Sequence, residues 1–152
     1  LSVFDIADRT QRLIRLQAPA ARARDRSVLF HARSHPLVRA DPEDLDRALN
    51  NLMSNAVRHT PSGTAVEIHV EQLHDKVRWS IRDQGAGIDD AVLPTLFESG
   101  VKGDGGEHGL GLSISLRIIQ QFGGTIAAHN RAQGGAEFVV TLPAAESVSG
   151  TG

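Results

Sequence analysis

Hydrophobic positions along this chain change period several times, and each change marks an element. From about Asp5 to Arg24 an Ala/Arg-rich segment carries Ile6, Leu13, Leu16 and Ala20 at helical spacing, with Pro19 placed to kink or split the helix. Short apolar runs at Val28-Leu29-Phe30 and Leu37-Val38, separated by the turn-prone Ser34-His35-Pro36, predict a strand pair. Asp41-Pro42 then offers an N-cap with proline at the first helical position. Leu45, Leu49, Leu52 and Ala56 follow as one core stripe, and Thr60-Pro61-Ser62-Gly63 ends that helix. Two strictly alternating runs, Val66/Ile68/Val70 and Val77/Trp79/Ile81, predict a hairpin turning at His74-Asp75. A short helix is expected from about Asp89 to Phe97, and the polar, Gly-rich stretch from Glu98 to His108 reads as a mobile loop. A second strong helix, about Gly109 to Phe122, stops at Gly123-Gly124, and strands follow near Thr125 to His129 and Glu137 to Leu142. Mixed helices and hairpins without an internal repeat favour a two-layer α+β sandwich over a doubly wound parallel sheet.

Composition narrows the function more than the fold. The 152 residues fit one domain with a sizeable core. A formal net charge of −2, with arginines scattered rather than striped, gives nucleic-acid binding no support. The absence of cysteine excludes disulfides and thiolate metal sites and fits a reducing compartment. No apolar run approaches the roughly 20 residues of a membrane span, and no signal-peptide pattern opens the chain. The start at Leu1-Ser2-Val3, without a Met, is what a fragment of a longer protein would show. No H-E-x-x-H is present, and the one H-x-x-x-H spacing among the seven His, His31 to His35, falls on a predicted strand and turn rather than on a helix, so zinc is not expected. Ser113 and Ser115 lack a nucleophile-elbow setting, and no Walker lysine motif is present.

Three segments carry candidate chemistry. At about 100° per residue, Asn51, Asn55 and Arg58 share one flank of the central helix, with His59 between that flank and the core. Amide oxygens one turn apart suit a hard cation, and an arginine a turn later can meet phosphate. Asp83 continues the inward series of Val77, Trp79 and Ile81, which aims a strand-end carboxylate into the molecule, where a donor such as an adenine amine would satisfy it. Gly85 and Gly87 behind it let backbone pass close to a base or sugar. Gly109-Leu110-Gly111-Leu112 opens a helix, so free N–H groups and the positive end of its dipole offer a phosphate site.

In this order the motifs resemble the catalytic and ATP-binding domain of bacterial two-component sensor histidine kinases, whose fold is shared with type II topoisomerases, mismatch-repair ATPases and a heat-shock chaperone family. Asn51-Leu52-Met53-Ser54-Asn55-Ala56-Val57-Arg58-His59-Thr60-Pro61 resembles the N box, Asp83-x-Gly85-x-Gly87 the G1 box, Leu96-Phe97-Glu98 the start of the F box and Gly109-Leu110-Gly111-Leu112 the G2 box. Gly135-Ala136-Glu137-Phe138 to Leu142-Pro143 resembles the closing strand. The resemblance implies a mixed, mainly antiparallel sheet covered by helices on one face, with a flexible ATP lid. It implies that Asn55 coordinates Mg²⁺ beside the ATP phosphates with Asn51 assisting, these two being the catalytic pair. Arg58 and Lys102 would meet phosphate, His59 would pack on adenine, Asp83 would accept from its amine, and Gly85, Gly87, Ile88, Gly109, Leu110, Gly111 and Leu112 would complete the ATP site.

Hydrolysing relatives carry a Glu one turn before the magnesium Asn; here Asn51 stands there, an amide that is no general base, so transfer to a side chain is favoured over hydrolysis. No His lies in an H-[ED]-x-[KR]-[ST]-P setting, so the acceptor belongs elsewhere. The implied organisation is a helix and linker at residues 1–24 arriving from a helical dimerisation domain, a catalytic domain at 25–143 and a disordered tail at 144–152. The implied partners are that histidine-containing domain of the same parent protein and a response regulator, with no nucleic acid and no direct membrane contact, in the cytoplasmic part of a sensor. A serine-kinase anti-sigma factor and a nucleotide-sensing module without transfer are the alternatives.

Overall fold

The computed structural model describes residues 1–98 and 109–146. In chain order the elements are β1 (Ser2–Asp5), α1 (Ile6–Ala23), β2 (Ser27–Ala32), β3 (Leu37–Ala40), α2 (Pro42–His59), β4 (Ala65–Leu73), β5 (Lys76–Arg82), a 3-10 turn (Leu93–Thr95), α3 (Gly109–Gln121), β6 (Thr125–Asn130) and β7 (Ala136–Pro143). Five strands form one sheet in the order β2-β4-β5-β7-β6, antiparallel except for β2 beside β4; β1 and β3 make a separate antiparallel pair. Alternation decides which face is covered. Val66, Ile68, Val70, Val77, Trp79, Ile81, Phe138, Val140 and Leu142 are buried against the helices, while Glu67, His69, Arg78 and Arg82 point the other way. The expected two-layer α+β sandwich, a mixed sheet covered by helices, is the fold found.

Helix α2 starts where the Asp41 side chain accepts from the Asp44 N–H at 3.0 Å, and its Leu45, Leu49, Leu52 and Ala56 stripe is buried throughout. In α1 the Asp5 carboxylate accepts from the Ala7 and Asp8 N–H groups at 2.8 and 3.1 Å. The helix runs unbroken through Pro19, which does not split it. Its buried face also differs from the expected stripe: Ile6, Ala7, Thr10, Leu13 and Ala21 are buried, Leu16 is 70% exposed and Ala20 is exposed. Polar side chains hold positions on the packing face. Thr10 accepts from the Trp79 indole N–H at 3.0 Å, and Gln17 donates to Asn50 Oδ1 at 2.7 Å. Ile6, Leu13 and Ala21 of α1 join the same hydrophobic core as the buried residues of the sheet.

The expected β2–β3 pairing is not formed. β2 lies parallel to β4, with α2 in the crossover between them, and the Arg33 N–H continues that ladder to the Val70 carbonyl at 3.0 Å. The segment from Ser34 to Pro36 crosses between layers instead of reversing the chain: Pro36 is buried and its carbonyl accepts from Ile6 N at 3.2 Å. The β4–β5 hairpin turns at His74 and Asp75 as expected. The helix expected from Asp89 to Phe97 reduces to the turn at Leu93–Thr95, because Pro94 interrupts a short segment whose remaining hydrogen bonds are local. Of the expected tail, Ala144 and Ala145 donate to the Asp75 and Leu37 carbonyls, each at 2.8 Å; the residues beyond 146 and the expected loop and lid at 99–108 lie outside the described residues.

Candidate nucleotide-binding site

The last two turns of α2 and the first of α3 meet around a cavity of about 140 Å³ lined by Asn51, Ser54, Asn55, Arg58, Gly111 and Leu112. Three side chains from one helical flank and two residues of the Gly-rich helix start therefore converge as the sequence suggested. Asn51 Nδ2 donates to the Gly111 carbonyl at 3.4 Å, and Ser115 Oγ donates to the Ala48 carbonyl at 3.0 Å, so polar bonds fix the two helices side by side. Asn55 is 3% exposed, and among the described residues its Oδ1 has no hydrogen-bond partner. A buried amide oxygen left open costs on the order of 1–3 kcal/mol unless something binds it. That orphaned oxygen fits a hard cation such as Mg²⁺, which takes oxygen ligands and keeps several waters.

Asp83, also 3% exposed, stands just past the end of β5 and faces inward. Its Oδ1 accepts from the Gly85 and Ala136 N–H groups at 2.9 and 3.1 Å, which fixes the carboxylate and leaves Oδ2 for another donor. Gly85 runs against the end of α2. A Cβ there would lie 2.2 Å from the His59 carbonyl oxygen, so only glycine fits, and this contact carries His59 into the same wall as Asp83. Gly87 adopts φ +87°, and a Cβ would lie 2.8 Å from Asn130 Oδ1. Ile88, partly buried, is held by that same Asn130, which accepts from its N–H at 2.7 Å and donates to its carbonyl at 2.8 Å.

Several residues that shape the site carry no signal in the sequence reading. Thr60 is buried, and its hydroxyl accepts from the Gln84 N–H at 3.0 Å, tying the end of α2 to the segment after Asp83. Asn130, the last residue of β6, and Arg131 just after it clamp that segment, Arg131 donating to the Asp83 carbonyl at 3.2 Å. Only Thr60 could have been flagged, as a helix-ending residue within the N-box run. Leu96 is fully buried, and the Phe97 ring meets Phe138 edge-on at 6.2 Å, so the F-box start packs into the core. Gly109 and Leu110 begin α3. Lys102 lies outside the described residues.

The site thus combines a helix-end cavity with an open amide oxygen and a buried strand-end carboxylate behind close-approach glycines. Residues 40–146 match the family described as histidine kinase-, DNA gyrase B- and HSP90-like ATPase, and the chain belongs to it. Within that class the similar proteins are histidine kinases. The signal transduction histidine-protein kinase AfsQ2 of Streptomyces coelicolor is 38% identical over 110 residues, covering 69% of this chain and 20% of the relative. The sensor protein GacS of Pseudomonas syringae pv. syringae is 34% identical over 152 residues, covering 91% of this chain and 17% of the relative. The chain thus spans about a fifth or less of the length of these relatives. Among solved structures, the nucleotide-free catalytic domain of the histidine kinase ThkA superposes with a TM-score of 0.85 at 27% identity, covering 93% of this chain and 96% of that one. Full-length ShkA in complex with AMPPNP gives 0.84 at 29% identity, covering 97% of this chain and 32% of that one.

Proposed function

We propose that this chain binds Mg·ATP between α2, α3 and the segment after Asp83, and presents the γ-phosphoryl group to a histidine on an adjoining dimerisation domain of the same parent protein. The observation that supports it best is the buried, unpartnered Asn55 Oδ1 in a cavity shared with Asn51, Arg58 and the start of α3. Asn55 would hold the magnesium ion with Asn51 beside it; the ion's contribution is to neutralise phosphate charge. Arg58 and the α3 N-terminus would receive phosphate oxygens, and Lys102 would reach them from the 99–108 segment. Asp83 Oδ2 would accept from the adenine amine, with His59 and Ile88 against the base and with Gly85 and Gly87 admitting it. Catalysis then rests on positioning and charge neutralisation, because Asn51 can abstract no proton and the attacking imidazole supplies its own lone pair.

Two-component signalling through a response regulator and a cytoplasmic setting follow from the same reading. Among the described residues no helix is long and apolar enough to cross a membrane. Incubation with γ-labelled ATP tests the proposal. The isolated chain should bind nucleotide without labelling itself, and fusion to the parent's acceptor domain should produce acid-labile, base-stable phosphate by raising local concentration. Rapid acid-stable labelling of the isolated chain would overturn the assignment in favour of a serine or threonine kinase.

A further inference from the structure

The sheet face turned away from the helices carries a second cluster unrelated to the nucleotide cavity. The parallel register of β2 and β4 sets His31 beside His69, and Glu67 lies two residues earlier on the same face of β4. Glu67 Oε1 is 3.3 Å from His69 Nε2 and 3.8 Å from His31 Nε2. The two imidazoles stack with centroids 4.7 Å apart and planes 20° apart. One ligand atom from each residue falls within 4.8 Å of the others. From this juxtaposition we propose that His31, Glu67 and His69 form a binding site for a first-row divalent cation, with Zn²⁺ the ion of choice.

Two imidazole nitrogens and one carboxylate oxygen are a donor set that zinc uses with a solvent position left open. Ligands about 2.1 Å from one zinc ion lie roughly 3.4 Å apart in a tetrahedral arrangement. Both distances to Glu67 are close to that value, and turning the half-exposed His31 ring brings its nitrogen round to the shared point. Arg82 lines the same cavity as His69. Arg82 is itself engaged by Glu137 at 2.7 Å, which limits its repulsion of a cation. A rival trio, Asp5, Asp8 and His35, is a poorer site because Asp5 is committed to capping α1. Helical H-x-x-x-H spacing could not reveal the proposed set, since its two histidines are joined by strand pairing.

Calorimetric titration of the tag-free chain with ZnCl₂ decides the matter. One equivalent should bind, and His31→Ala and His69→Ala should each weaken it by more than the roughly tenfold typical of losing even a supporting partner. His35→Ala should bind as the wild type does. Zn²⁺ should also raise the melting temperature of the wild type but not of the double His31→Ala/His69→Ala variant. Should either alanine variant fail to fold, His31→Gln at the half-exposed edge position gives the same comparison. Absence of saturable binding, full affinity in the double variant, or loss of binding in His35→Ala would each overturn the proposal. The ATP reading is untouched by any of these outcomes, because its residues lie on the helical side of the sheet.

Discussion

Asn55 and Asp83 show what one side chain can decide. Asn55 lies beside the Leu stripe of α2 with its oxygen open, so Asn55→Ala should leave the fold intact and abolish the magnesium dependence of ATP binding. Calorimetric titration with and without Mg²⁺ tests this; an unchanged affinity in the variant would rule out the metal role. At Asp83 the better substitution is asparagine, which keeps an acceptor for the Gly85 and Ala136 N–H groups and places NH₂ where Oδ2 was. Asp83→Asn should weaken ATP by about 1.5–3 kcal/mol, the worth of a charge-assisted hydrogen bond, and leave inorganic triphosphate binding unchanged. Equal affinity of the wild type for ATP and GTP would show that Asp83 does not read adenine. Helical periodicity made Asn51, Asn55 and Arg58 legible as one flank, and strand alternation did the same for Asp83. Asn130 and Arg131 were not legible, because their work is to hydrogen-bond backbone groups brought near by other elements.

Between elements, the clearest electrostatic link joins β5, β6 and β7. Glu137 accepts from Arg82 Nε at 2.7 Å and meets His129 Nε2 at 2.9 Å. Burial acts to raise the Glu137 pKa, but the hydrogen bond and charge of Arg82, with His129 and Arg78, outweigh it and the net direction is down. A depressed carboxyl contributes stability that is present above its unfolded value of about 4.3 and is lost as pH falls through the lower folded value. Urea midpoints followed by the fluorescence of Trp79, the single tryptophan, should therefore fall on the acid side. Glu137→Gln should lower the midpoint at neutral pH and flatten that fall. Parallel profiles for the two proteins would show that the link contributes nothing. Pairing between elements was also where sequence reasoning failed: local turn residues at Ser34-His35-Pro36 suggested a β2–β3 hairpin, whereas the partner of β2 lies beyond α2. Nothing within a strand's own residues names a partner so distant in sequence.

For the whole molecule, the helical layer and the sheet are joined through a buried polar contact as well as by apolar packing. Thr10 donates to the Ile6 carbonyl at 2.7 Å and accepts from Trp79 Nε1 at 3.0 Å, so the largest buried side chain of the sheet is satisfied by α1. Thr10→Val keeps the volume and strands the indole N–H, and it should cost about 1–3 kcal/mol of unfolding free energy. Thr10→Ser should recover most of that in the same urea titration; equal losses in both variants would point to packing rather than the hydrogen bond. The sequence by itself determined the elements with strong periods, the order of the four boxes, the two-layer class and the flank of α2 that lines the cavity. Those are local properties, set by which residues recur at the spacing of a helix or strand. Tertiary structure alone decided that Thr10 and Gln17 hold core-facing positions while Leu16 is exposed, that β2 joins β4, and that His31 comes to lie beside His69. The physical reason is that a buried polar group is accepted only where a partner from another element meets it, and the chain's own pattern does not record where that partner will be.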